Sequence, residues 1–107
     1  MYFNEETILF KDGSFIPVGE AGINPYSQTL HYGMGVFEGL RAYQTIHGTK
    51  IFKAKEHFSR LSESCSLLGI PFDYSIEELT QISYHLIEKN SLTCAYIRPL
   101  IISAPRM

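Results

Sequence analysis

The sequence predicts an α+β domain of two layers, an antiparallel-rich sheet with two helices packed on one face. Three observations carry that reading. Short β-prone runs come in pairs joined by glycine turns, two stretches of helical period follow one another in the middle of the chain, and a strongly apolar run closes it.

Taken in order, Thr7 to Phe10 and Ser14 to Val18 flank Asp12-Gly13. Both central residues of a type I′ turn need positive φ, so Asp-Gly between apolar runs predicts a hairpin. Gly19 to Pro25 reads as loop, and Ser27 to His31 as a short helical turn with Ser27 as its cap. Val36 to Thr45 is predicted as one strand, which His47-Gly48 turns back into Lys50 to Phe52. In Lys55 to Leu68, the residues Phe58, Leu61, Cys65 and Leu68 recur at three- and four-residue steps and form one apolar stripe. Gly69 and Pro71 stop that helix. Ser75-Ile76-Glu77-Glu78 is a capping box opening a second helix, whose stripe is Ile76, Leu79, Ile82, Leu86 and Ile87 and whose end falls near Asn90. Cys94 to Ile102 is predicted as a single final strand. No internal repeat, low-complexity segment or linker divides the 107 residues, so residues 1–107 are expected to form one domain. The apolar final strand stops within five residues, which reads as a chain cut between two domains and an exposed edge open to self-association.

Composition narrows the function classes. Apolar content of 45% and charged content of 19% are those of a globular protein. A net charge of -2 argues against nucleic acid or an anionic membrane as partner. No apolar run is long enough to span a bilayer, and the N-terminal residues lack the pattern of a signal peptide. Cys65, on a helix stripe, and Cys94, opening a strand, read as reduced, buried thiols, which fits a cytoplasmic protein. The cysteines and the four histidines show no metal-ligand spacing. Phosphate loops, nucleophile elbows and zinc-protease motifs are absent, and Gly33-Met34-Gly35 is too short for a dinucleotide fingerprint.

The chemistry-bearing residues gather in His31 to Tyr43 and in the final strand. Strand alternation puts Phe37, Gly39, Arg41 and Tyr43 on one face and Val36, Glu38, Leu40 and Ala42 on the other. Gly39 leaves a gap at which a ligand or a second backbone can approach, although a solvated outer face accounts for the pattern equally well. In the final strand Tyr96, Arg98 and Leu100 share a face. Arg98 in so apolar a run calls either for an internal carboxylate, for which Glu38 is the favoured partner, or for an anionic ligand. Spacing alone makes Arg60 a snorkelling residue at the border of its helix stripe, gives His57 no role, and makes Lys50, Lys53 and Lys55 a solvated patch.

Three segments, His31 to Arg41, Glu56 to Leu61 and Ala95 to Leu100, together resemble the N-terminal domain of branched-chain amino acid aminotransferases. These are class-IV, fold-type IV enzymes that use pyridoxal 5′-phosphate. The segments occur in family order at about family spacing, and the resemblance covers nearly the whole chain. D-amino acid aminotransferases and aminodeoxychorismate lyases share the fold but differ in the Phe37-to-Arg41 and Tyr96-to-Pro99 wording. The remaining alternative is a non-catalytic, self-associating module. The resemblance implies that Arg60 binds the cofactor phosphate and that Phe37 is a wall of the substrate side-chain pocket. It also implies that Tyr96 and Arg98 lie near substrate, with Arg98 suited to a carboxylate, and that Tyr32 reaches into a neighbouring subunit, the family working as dimers. Gly39 and Arg41 line the same face. Branched-chain amino acids and 2-oxo acids are the implied substrates. The family's Schiff-base lysine lies in a second, larger domain and matches none of Lys11, Lys50, Lys53, Lys55 and Lys89, so the chain alone is expected not to transaminate.

Overall fold

The structure is a computed structural model that describes residues 4–103. Strand β1 (Ile8–Lys11) and strand β2 (Ser14–Pro17) form the first hairpin, with Asp12 at φ 50 and Gly13 at φ 88 as the type I′ turn demands. After a 3-10 turn (Val18–Glu20) and a loop comes the short helix α1 (Gln28–Tyr32), whose cap Ser27 accepts from the Thr29 N–H at 3.2 Å. Then follow β3 (Gly35–Phe37), β4 (Leu40–Thr45), β5 (Gly48–Ile51), α2 (Ala54–Leu68), α3 (Ile76–Lys89), β6 (Ala95–Ile97) and β7 (Leu100–Ile102). Gly69 ends α2 in the left-handed region, where its N–H meets the carbonyls of Cys65 and Ser66. The Ser75 hydroxyl accepts from the Glu78 N–H at 3.0 Å and opens α3.

All the described strand pairs are antiparallel, and β4 lies between β5 and β6 while β3 pairs with β7. Two strands expected to run unbroken are each cut in two. Val36 to Thr45 breaks at Glu38-Gly39, and Cys94 to Ile102 breaks at Arg98-Pro99. The breaks lie opposite one another and leave the register intact: Phe37 faces Leu100 before the gap, and Leu40 faces Ile97 after it. Pro99 has no N–H to give the ladder, so regular pairing lapses there, and only the Glu38 N–H crosses the gap, to the Pro99 carbonyl at 3.1 Å. Alternation survives the break, with Val36, Glu38, Leu40 and Ala42 buried and Phe37, Arg41 and Tyr43 exposed.

The core forms where the buried strand residues Val36, Leu40, Ala42 and Ile51 meet Phe58, Leu61 and Cys65 of α2 and Ile87 of α3. Ile76 and Leu79 pack against it from α3. Leu68, expected on the α2 stripe, is 44% exposed at the helix end. The first hairpin stays outside the main sheet and docks on α3, where the Asn90 side chain accepts from the Ile8 N–H and donates to the Ile8 carbonyl, at 2.8 and 2.9 Å. Cys65 is fully buried and burial pushes its thiol pKa up, whereas Cys94 precedes β6 on the surface; both are free thiols. Cys94 therefore departs from the expected buried pair, because the chain is still turning before it enters the strand. No described helix is long and apolar enough to cross a membrane.

Candidate functional site

Around the gap, strand alternation sorts the candidate residues onto two sides. On the open side, Phe37, Arg41, Tyr96 and Arg98 cluster about Gly39. The Tyr96 hydroxyl lies over Gly39, where a Cβ would come within 2.3 Å of it. Only the missing side chain admits the phenol. The Arg98 Nη2 donates to that hydroxyl at 2.8 Å, and its guanidinium stacks over the rings of Phe37 (4.7 Å) and Tyr96 (5.3 Å). Arg41, opposite Tyr96 in the register, lies 5.5 Å from the same ring centroid. Two cations thus share one exposed face with two aromatic rings, and no carboxylate hydrogen-bonds to Arg98 among the described residues. The favoured Arg98–Glu38 pair is not formed, because alternation sends Glu38 to the other side of the strand.

On that other side Glu38 is only 5% exposed and faces α2. Arg60 of α2 clamps it with two hydrogen bonds, Nε to Oε2 at 2.7 Å and Nη2 to Oε1 at 2.8 Å. His57, one helical turn earlier, donates from Nδ1 to Oε1 at 2.9 Å, the carboxylate being acceptor-only. The Arg60 hydrogen bonds are the main cause that takes the Glu38 carboxyl down to about 2, against the opposing pull of burial and with His57 adding to the effect. The same carboxylate raises the Arg60 pKa further. Arg60 is therefore no free snorkelling residue. Its side chain is 66% exposed, but its head is anchored on a buried anion. Sequence spacing missed this triad, including the contribution of His57. The available signal was a glutamate on the buried face of an apolar strand, which required a cation from elsewhere.

Tyr32 makes no hydrogen bond or ring contact with either group among the described residues. It is 75% exposed at the end of α1, with its ring centroid 6.3 Å from that of His31. It borders a groove of about 810 Å³ lined also by Met34, Ile70, Pro71 and Ile101. Hydrogen bonds tie this corner to β7: Ser27 Oγ donates to the Ser103 carbonyl at 2.6 Å, and Thr29 Oγ1 accepts from the Ser103 N–H at 2.8 Å. The structure thus unites Phe37, Gly39, Arg41, Tyr96 and Arg98, puts Arg60 behind the same strand, and leaves Tyr32 exposed at the end of α1. No cluster of metal-ligating side chains occurs among the described residues.

Comparison with known proteins agrees with this architecture. The family described as amino-transferase class IV matches residues 35–106. The branched-chain-amino-acid aminotransferase of Escherichia coli is 40% identical over 101 residues, which are 94% of this chain and 30% of that protein. The solved T.th. branched-chain amino acid aminotransferase, complexed with N-(5′-phosphopyridoxyl)-L-glutamate, superposes with a TM-score of 0.90 at 35% identity, over 95% of this chain and 34% of that one. The same enzyme complexed with 4-methylvaleric acid gives a TM-score of 0.91 at 35% identity, over 96% of this chain and 35% of that one. The chain spans about a third of the length of these relatives. With its two-layer α+β architecture and its match over residues 35–106, the chain belongs to the class-IV amino-transferases.

Proposed function

We propose that this chain is the small, N-terminal domain of a pyridoxal-phosphate-dependent branched-chain amino acid aminotransferase. In this reading the whole enzyme moves an amino group between leucine, isoleucine or valine and 2-oxoglutarate, in the cytoplasm. The observation that carries it is the pair of differently held arginines on either side of one strand gap, Arg60 on Glu38 and Arg98 on Phe37 and Tyr96.

Among the described residues Arg60 keeps N–H groups without acceptors on its exposed side, which suits the phosphate end of the cofactor. When bound, pyridoxal phosphate supplies the electron sink for amino transfer. Phe37 offers an apolar wall for a branched side chain, and Arg98 a planar fork for a carboxylate. Arg41 adds positive potential beside them, and Gly39 keeps the face open. Support for a ligand that is apolar at one end and a carboxylate at the other comes from the related enzyme solved with 4-methylvaleric acid. Tyr32, exposed at its corner, reaches toward a neighbouring subunit in a homodimer. The Schiff-base lysine belongs to a second domain outside this sequence, so the 107-residue chain does not transaminate by itself.

The test is amino transfer by the whole protein that carries this sequence. Leucine, isoleucine and valine are expected to serve as donors. Arg98→Gln should raise KM for glutamate and 2-oxoglutarate more than for leucine. A preference for D-amino acids, or lyase activity on aminodeoxychorismate, would assign the same fold to another reaction. On the isolated chain, a borohydride-trapped pyridoxal adduct at one specific lysine together with turnover of 2-oxoglutarate would overturn the division of labour between domains.

A further inference from the structure

We propose that Glu38 is a positioning residue that converts Arg60 from a flexible surface cation into an oriented anion-binding fork. This deepens the proposed phosphate-binding role of Arg60 and rests on it. A guanidinium has five N–H bonds along three edges. Glu38 takes one edge, using the single N–H of Nε and one of the two on Nη2. Among the described residues nothing accepts the other three N–H bonds, two on Nη1 and one on Nη2. One on each of Nη1 and Nη2 forms the neighbouring edge, which shares Nη2 with the first, on a side chain that is 66% exposed. A phosphate bound there takes a different edge of the guanidinium from the carboxylate, so one cation serves both anions.

The support behind the fork is rigid. Glu38 is 5% exposed, its backbone N–H is fixed by the Pro99 carbonyl at 3.1 Å, and its Oε1 also accepts from His57 Nδ1 at 2.9 Å. The residue therefore has little freedom of its own, and it lends that order to Arg60. Ordering a free, rotamer-rich arginine on binding weakens a ligand by roughly three- to tenfold, and Glu38 removes that cost in advance.

Charge and positioning predict opposite signs, which makes the role testable. If Glu38 only neutralised Arg60, its removal would strengthen phosphate binding. As a positioning residue, its removal weakens it. Titration of the 107-residue chain with inorganic phosphate, followed on the ¹⁵N–¹H signal of Arg60 Nε, reads both the affinity and the order of the side chain. Glu38→Gln keeps the size of the residue but gives the arginine a single acceptor. It is expected to bind phosphate roughly three- to tenfold more weakly and to shift the Arg60 Nε–H signal upfield before any phosphate is added. Arg60→Lys tests the same point without touching the buried residue. A lysine point charge has no second rigid edge, so phosphate binding should fall although the charge is kept. Phosphate affinity unchanged or increased in Glu38→Gln, or unchanged in Arg60→Lys, overturns the positioning role. Affinity unchanged in Arg60→Gln overturns instead the phosphate-binding reading on which it rests.

Discussion

Arg60 and Arg98 are both exposed arginines, and both stand beside the same strand gap, but they are held by different means. Arg60 is fixed by a buried carboxylate that accepts two of its N–H bonds. Arg98 is fixed by aromatic faces and a single phenolic oxygen, with no anion among its hydrogen-bond partners in the described residues. The first arrangement is directional and tied to the core, since Glu38 is on the same strand face as Leu40 and Ala42. The second is built from exposed groups on the solvent side. The difference suits two tasks. In the proposed reading Arg60 is the fixed fork for a phosphate and Arg98 the cation for a carboxylate.

The largest effect that would sharpen this contrast is expected behind the strand. Leu40 is fully buried and adjoins the gap, so Leu40→Ala should cost about 2–5 kcal/mol by urea denaturation. A comparable loss from Tyr96→Ala on the open side would break the distinction between core-tied and solvent-facing arms. Acid should separate the arms next. The Glu38 carboxyl falls from 4.5 to about 2 on folding, so the stability it contributes is present above pH 4.5 and is lost as the pH drops toward 2. Glu38→Gln should remove that part of the acid dependence in pH-resolved thermal melts, whereas Arg98→Gln should leave it intact.

A smaller effect is expected from Gly39→Ala. The new Cβ must displace the Tyr96 hydroxyl, which lies at the end of a flexible side chain, so the fold should survive while Arg98 loses its partner. Side-chain NMR should show the Arg98 signal move and the Arg60 signal stay. The smallest effect is expected from Tyr96→Phe, which removes one exposed hydrogen bond of 2.8 Å and keeps the ring. Its stability should stay within about 0.5 kcal/mol of the parent, while a larger loss would mean that the open arm is as tightly built as the buried one.

Much of the fold is legible in short-range signals. Asp12-Gly13, Ser27, Gly69 and Ser75 each do locally what their residue types demand, and each helix keeps most of its stripe. The open face is legible as well, because period-2 alternation carries through the gap. The breaks at Gly39 and Pro99 are less visible. Each residue is a known interrupter, but only pairing shows that they stand opposite one another and interrupt the ladder together. The Glu38–Arg60 clamp is not legible, since its partners lie 22 residues apart on different elements and alternation says only that Glu38 needs a cation. Burial decides between Arg60 and Arg98, because Glu38 and Arg98 leave the sheet on opposite sides.

The register that persists across the gap has a consequence for how this segment can vary in length. Phe37 faces Leu100 and Leu40 faces Ile97, so the two strands stay in phase through a stretch with almost no ladder bonds. Inserting or deleting a single residue between Glu38 and Arg41 would bring these two residues onto one face. Either Glu38 would turn outward, or Arg41 would turn toward the core. Substitution can tune either arm separately, but an odd change of length there breaks the sorting of the two faces. The segment is thus locked in count.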